Sequence, residues 1–231
     1  MKVVSLSENT LVVLFDQTIS RQTAAEVLKL KQLINKELAE FVIDIIPSYT
    51  SIHVSFNLRK ISHKSFVEKV ETLTQQTRQT KQADLQQNHE KNLIEIPVYY
   101  GEEVGFDLHQ IADKSGLSIK QIIQTHSDKI YDVFALGFAP GFAYLGTVDE
   151  QIAIPRKETP RLSVPQGSLG IAGEQTAIYP FDSPGGWNII GKTPIKLVDY
   201  NQQSPCIFEV GDSIKFQPIS KSEFLKQGGE L

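Results

Sequence analysis

One cysteine, one methionine and one tryptophan occur in 231 residues. The single thiol, Cys206, excludes an intramolecular disulfide framework and any multi-cysteine zinc or iron–sulfur site. No apolar run approaches the ~20 residues that span a bilayer, and Met1 to Glu8 lack the apolar stretch of a secretory signal. Positive charge is not in excess either. The formal charge is −4, which leaves no basic footprint for nucleic acid or an anionic membrane. These absences lead us to expect a cytoplasmic chain that binds neither. No histidine follows His126, so a Ser-His-Asp or Cys-His arrangement would require His126 or an earlier histidine to fold back. The glycines at 167, 170 and 173 do not have Walker A spacing and lack its Lys-Ser/Thr.

What is present is an ordinary globular composition, 40% apolar and 22% charged. At ~100–200 residues per domain, the length suits one large domain or two small ones. Between Thr72 and Lys91 the chain turns polar and glutamine-rich, with Gln75, Gln76, Gln79, Gln82, Gln86 and Gln87. A linker at about 80–92 is the expected boundary, with domains over 1–85 and 93–231. The charge divides with it: residues 1–92 carry +2 and residues 93–231 carry −6.

The first part alternates element types. Leu11–Phe15, Phe41–Ile46 (ended by Pro47) and the period-two run Ser51–Phe56 read as strands. Ser20 and Ser62 read as N-caps of two helices, one running to about Leu38 and the other carrying Phe66, Val67, Val70 and Leu73. The pattern predicts a small α+β sandwich, a sheet covered on one face by two helices. In the second part, Leu93–Val98 reads as a strand. Residues 107–129 read as a helical hairpin with Asp107 and Ser118 as N-caps and Gly116 as the stop. Its cadence is that of a helix-turn-helix, yet the second helix carries only Lys120 and Lys129, too few cations for a DNA reader.

The informative stretch runs from Ala135 to Pro194, which holds nine of the 15 glycines and seven of the 11 prolines. Such density requires turns and short strands. Gly137-Phe-Ala-Pro-Gly-Phe-Ala-Tyr-Leu-Gly146 is either a turn whose Phe138 and Phe142 plug a core or a rigid frame presenting aromatics. Pro155-Arg156 and Pro160-Arg161 put two arginine forks on stiffened backbone, suited to an anion or to surface ion pairs. Gln175, Thr176 and Tyr179 offer neutral hydrogen bonding of the kind an amide or lactam needs. Trp187, after Gly185-Gly186, is either a buried plug or a ligand platform.

Taken in order, these segments, with Tyr100-Gly101-Glu102, Thr125-His126-Ser127 and Gly191-Lys-Thr-Pro194, resemble the allophanate hydrolase subunit 1 family. The B subunits of bacterial 5-oxoprolinases and a sporulation-kinase inhibitor of bacilli belong to it. The resemblance covers nearly the whole chain. It implies an N-terminal α+β domain followed by a C-terminal cyclophilin-like β-barrel. It also implies a non-autonomous subunit of a complex that uses ATP, with Mg2+, to cleave 5-oxo-L-proline to L-glutamate. The implied partners are the family's second subunit and a third, barrel-type subunit. A five-membered lactam is a stable amide, so its carbonyl must be activated before water opens it. On that chemistry Arg156, Arg161 and Lys192 are candidates to neutralise negative charge. Gln175, Tyr179 and Trp187 would frame the ring, and His126 or Glu102 would manage protons. No metal-ligand set is expected. The alternative function is a regulatory protein that inhibits a sensor histidine kinase through an exposed apolar groove around Phe138, Phe142 and Trp187.

Overall fold

The computed structural model describes residues 1–79 and 93–231, so the expected linker at 80–92 lies outside the described residues. The chain divides into two compact units, Met1–Glu90 and Lys91–Leu231.

The first unit is a four-stranded antiparallel sheet in the order β1-β2-β4-β3, with β1 at Lys2–Ser7, β2 at Thr10–Leu14, β3 at Val42–Ser48 and β4 at Ser51–Phe56. The alternation in β4 does what a period of two dictates: Ile52, Val54 and Phe56 are fully buried while His53 is exposed. Two helices cover that sheet, α1 (Arg21–Glu37) against β3 and β4, and α2 (His63–Gln79) against β1. Ser20 caps α1 by accepting from the Thr23 backbone N–H at 3.1 Å. Ser62 does the same for Ser65 at 3.2 Å. Phe56 and Phe66 stack with centroids 4.1 Å apart and tie α2 to the sheet. Two details differ from the sequence reading. The strand β1 carries only Val3, Val4 and Leu6 among polar residues, too weak an apolar signal to mark it. Pro47 does not end β3 but stays in register opposite Ile52. β3 is an edge strand, so its missing N–H costs the ladder nothing.

The second unit is built on seven strands: β5 (Leu93–Val98), β6 (Ile130–Leu136), β7 (Ala143–Gly146), β9 (Ser168–Ala172), β10 (Gln175–Ile178), β12 (Asn188–Lys192) and β13 (Ser213–Pro218). Their order is β12-β9-β10-β7-β6-β13-β5, all antiparallel except β13-β5. The two outer strands meet. Tyr99, directly after β5, exchanges both backbone hydrogen bonds with Lys192 at the end of β12, at 2.9 and 2.8 Å. This bridge closes the sheet into the expected barrel. One cluster draws on all seven strands, including Val98, Tyr131, Leu145, Leu169, Ile178, Ile190 and Phe216. In a closed sheet the inward face of every strand meets in a single core.

Two helices join that core, α3 (Leu108–Ser115) and α4 (Ile119–Ser127). Gly116 ends α3 at φ 73° and Ser118 opens α4 with a capping box completed by Gln121, so the hairpin is as expected. A short helix, α5 (Lys221–Lys226), follows β13.

A separate ribbon, β8 (Arg161–Val164) paired with β11 (Ser183–Gly185), completes the strands. A second cluster contains Val164 of β8, Ala172, Ala177 and Ile189 of the barrel strands, and Phe142, Tyr179 and Trp187. β9 is therefore buried on both faces: Leu169 and Ile171 point inward, and Ala172 joins the outer cluster. The candidate site is built on this outer cluster.

Candidate functional site

A pocket of about 190 Å3 opens on the outer cluster, with Phe142, Tyr179, Trp187, Arg156 and Gln175 in its lining and Phe138 at its edge. Four of the residues singled out from sequence, Arg156, Gln175, Tyr179 and Trp187, therefore meet in one place. Its frame is aromatic. Phe142 is 2% exposed and stands edge-on to Tyr179 and Trp187, at 5.4 and 5.7 Å. The turn that carries it is set by two hydrogen bonds, Gly137 N–H to the Phe142 carbonyl and Phe142 N–H to the Ala139 carbonyl. Within that turn Phe138 sits at φ 74° with its side chain largely in solvent. The aromatic pair thus splits its roles, Phe142 as plug and Phe138 at the rim. A Cβ on Gly185 would collide with the Tyr179 hydroxyl, so glycine there lets the β11 backbone approach the phenol.

Burial holds the Tyr179 phenol above its usual pKa, against the opposing pull of the Trp187 backbone N–H that it accepts and of the Arg156 charge. At neutral pH it is a neutral hydroxyl. Arg156 is exposed at the pocket mouth, and among the described residues no carboxylate pairs with it. The lining holds no carboxylate and no histidine.

Arg161 and Lys192 are placed elsewhere. Arg161 donates to Asp107 Oδ1 at 2.8 Å, and Lys157 Nζ donates to the same oxygen at 2.7 Å. The other carboxylate oxygen accepts the Ile189 backbone N–H at 2.7 Å. Burial by itself would raise the Asp107 pKa; the Arg161 and Lys157 donors, with the Ile189 amide, outweigh it and hold the carboxyl below the usual range. Asp107 thus does not cap α3 with its side chain, as the sequence suggested, but is the hub of an ion-pair cluster. The Arg161 guanidinium also lies 5.7 Å over the Phe106 ring. The two Pro-Arg pairs are consequently unlike: Arg161 is neutralised and Arg156 is not. Lys192 Nζ donates to the Glu230 backbone carbonyl at 2.7 Å, in a different depression.

The two residues suggested for proton transfer do not line the pocket. Glu102 is exposed and pairs with His109 at 3.1 Å. His126 is fully enclosed in the barrel core. Its protonation follows from its neighbours. Thr176 Oγ1 uses its only proton on the Gly170 carbonyl, so it must accept from His126 Nε2, and Nδ1 then accepts from the Tyr100 hydroxyl. Burial pushes the imidazole down to about 3 from an ordinary 6.5. The unfolded chain therefore takes up a proton below pH 6.5 that the folded chain refuses. Stability of the second unit is expected to fall by about 1.4 kcal/mol per pH unit from this group alone as pH drops from 6.5 toward 3. Denaturant titrations followed by Trp187 fluorescence should show this slope, and His126→Phe should remove it. An unchanged slope in the variant would refute the assignment.

Sequence reasoning missed Asp107 as a hub, Lys157 as its partner and Asn188 as a buried amide. The ion pairs join residues 50 and 54 positions apart, and no local spacing signals them.

Comparison with known proteins places the chain in a known class. The family described as carboxyltransferase domain, subdomain C and D, matches residues 1–208, and the chain belongs to it. Within that class the chain is similar to the 5-oxoprolinase B subunit of Bacillus subtilis, 35% identical over 95% of this chain and 93% of that protein. The corresponding 5-oxoprolinase B subunit of Haemophilus influenzae is 38% identical over 94% and 97%. Among solved structures, TTHA0988 superposes with a TM-score of 0.77 at 28% identity, over 91% of this chain but 40% of that one. This chain thus spans less than half of TTHA0988. Kluyveromyces lactis urea carboxylase has the same fold at a TM-score of 0.72 and 15% identity. No helix among the described residues is long and apolar enough to cross a membrane.

Proposed function

We propose that this chain is the B-type subunit of an ATP-dependent 5-oxoprolinase complex and that its aromatic pocket holds 5-oxo-L-proline. The carrying observation is its likeness to two 5-oxoprolinase B subunits, at 35% and 38% identity over more than nine-tenths of every chain compared.

The pocket chemistry agrees with that substrate. The lactam carries one carboxylate, and the lining carries one cation, Arg156. Half-buried Tyr144 offers apolar surface to the ring and Gln175 a neutral donor to its amide, in front of a wall of packed Phe142, Tyr179 and Trp187. A nucleoside triphosphate does not fit. It calls for several cations or a cradle of backbone N–H groups, and the volume lies below the ~300 Å3 typical of larger ligands. ATP with Mg2+ is therefore the co-substrate of the complex and not the ligand of this pocket. With no carboxylate or histidine in the lining, this chain binds and orients the lactam, while general acid–base groups come from the second subunit and the barrel-type subunit. Ring opening then adds water across the amide bond and yields L-glutamate.

The regulatory alternative expects an open groove around Phe138, Phe142 and Trp187. Phe142 and Trp187 are 2% and 5% exposed, which leaves Phe138 alone at the surface.

The test is reconstitution with the two partner subunits. The complex should hydrolyse ATP in a manner that depends on 5-oxo-L-proline, and this chain alone should not. Turnover by the isolated chain, or ATP hydrolysis indifferent to 5-oxo-L-proline, would overturn the proposal.

A further inference from the structure

The segment that carries Arg156 is pinned on both sides of it. The Pro155 carbonyl accepts from Asn188 Nδ2 at 2.9 Å, and the Lys157 backbone N–H donates to the Gly186 carbonyl at 2.7 Å. Both anchors flank Trp187, the pocket wall. Asn188 is fully buried at the start of β12, and the same amide group donates at 3.2 Å to the Ile171 carbonyl of β9. It thus joins a barrel strand to the arginine loop. Its Oδ1 is buried and has no hydrogen-bond partner among the described residues. A buried acceptor left unsatisfied is unfavourable, and an apolar side chain of the same size would avoid it. A carboxamide whose oxygen has no partner serves here through its donors alone.

We propose that Asn188 is a positioning residue for Arg156: its amide fixes the Pro155 carbonyl and so aims the guanidinium at the pocket. The inference rests on the pocket's role as the substrate site. An arginine on a long, rotamer-rich stem gains affinity when its backbone is set before the anion arrives. Proline at 155 limits φ, and the two anchors restrict the rest. Asn188 touches no substrate in this scheme and acts only through the loop.

The experiment combines kinetics of the reconstituted complex with hydrogen exchange on the full chain. Asn188→Leu keeps the branched four-heavy-atom outline, though somewhat larger, and removes both donors; Asn188→Ser is a milder second variant, should the first fail to fold. Each should raise KM for 5-oxo-L-proline about tenfold, a loss of one charge-assisted hydrogen bond, with kcat and KM for ATP within twofold. In the Arg156→Ala background the same substitutions should change KM by less than twofold, because the group they position is gone. A structural role alone would instead lower kcat through lost active protein, or multiply KM equally in both backgrounds; either result overturns the proposal. Exchange of the Lys157 amide should also accelerate in the variants, and its unchanged protection would be equally fatal. The exchange measurement stands apart from the function. If the wild-type complex shows no 5-oxo-L-proline-dependent hydrolysis, the functional reading fails, while exchange at Lys157 still decides whether Asn188 holds the loop.

Discussion

Replacing Asp107 with alanine is expected to cost the second unit about 3 kcal/mol and roughly 10 °C in Tm. The carboxylate is 4% exposed and accepts from Lys157, Arg161 and the Ile189 backbone. Its removal strands two cations and one amide at once. The figure sits at the low end for a broken buried pair because the Lys157 and Arg161 side chains keep 23% and 26% of their surface in water. Asp107→Asn should recover part of the loss, since its carbonyl oxygen still accepts one donor while the charge is gone. The pH dependence has a definite sign. The Asp107 pKa is lowered on folding, so the contribution is complete above the unfolded carboxyl's ordinary 3.8 and is lost as pH falls through the lower folded value. Trp187, the only tryptophan, lies in this unit, so its fluorescence reports this transition and not that of the first unit. A Tm within 2 °C of wild type for Asp107→Ala would show that the cluster is a solvated surface feature.

Arg156→Ala is expected to raise KM for 5-oxo-L-proline tenfold to a hundredfold in the reconstituted complex, with a smaller effect on kcat. A hydrogen bond to a charged group contributes roughly 1.5–3 kcal/mol, which sets that range. Arg156 has no carboxylate partner among the described residues, so its removal breaks no internal ion pair, and Tm should stay within a degree or two. Lysine at 156 keeps the charge but loses the planar fork, and should rescue in part. Arg161 supplies the contrast. Since it is already bound to Asp107, Arg161→Ala should show itself first as lost stability and only then in kinetics. Equal KM values for wild type and Arg156→Ala would remove the carboxylate-binding role from the pocket.

What could be read in the sequence was local. Ser20, Ser62 and Ser118 announce helices because a cap acts within three residues, and the β4 alternation follows from the pleat. The Gly137–Gly146 turn and the residues Tyr179, Gln175 and Trp187 stand out because glycine and proline density marks constrained backbone. What could not be read depends on register across the barrel. Asp107 has the sequence position of a cap, and only the strand order brings Lys157 and Arg161 onto it. Arg156 and Arg161 look equivalent along the chain, yet one faces the pocket mouth and the other an interior carboxylate. His126 shares its residue type with catalytic bases, but Tyr100 and Thr176 enclose it in the core. The barrel itself came from the motif resemblance, since short apolar runs alone do not distinguish a closed sheet from an open one.

The barrel's closure also sets the order of its assembly. β5 opens the second unit and its parallel partner β13 comes near the end of the chain; the Glu95–Gln217 side-chain pair across them spans 122 residues. On a growing polypeptide the first unit completes its sheet and both helices by Gln79, although the Thr10–Ser55 pair across β2 and β4 spans 45 positions and the Arg78–Met1 contact 77. β5 must wait, with its hydrogen-bonding edge open, until nearly all the remaining chain has been made. The second unit is thus the slower folder, because its closing pair has the longer sequence separation. Truncation just before Ser213 would remove the strand that joins β5 to β6, leaving six strands that cannot close the ring.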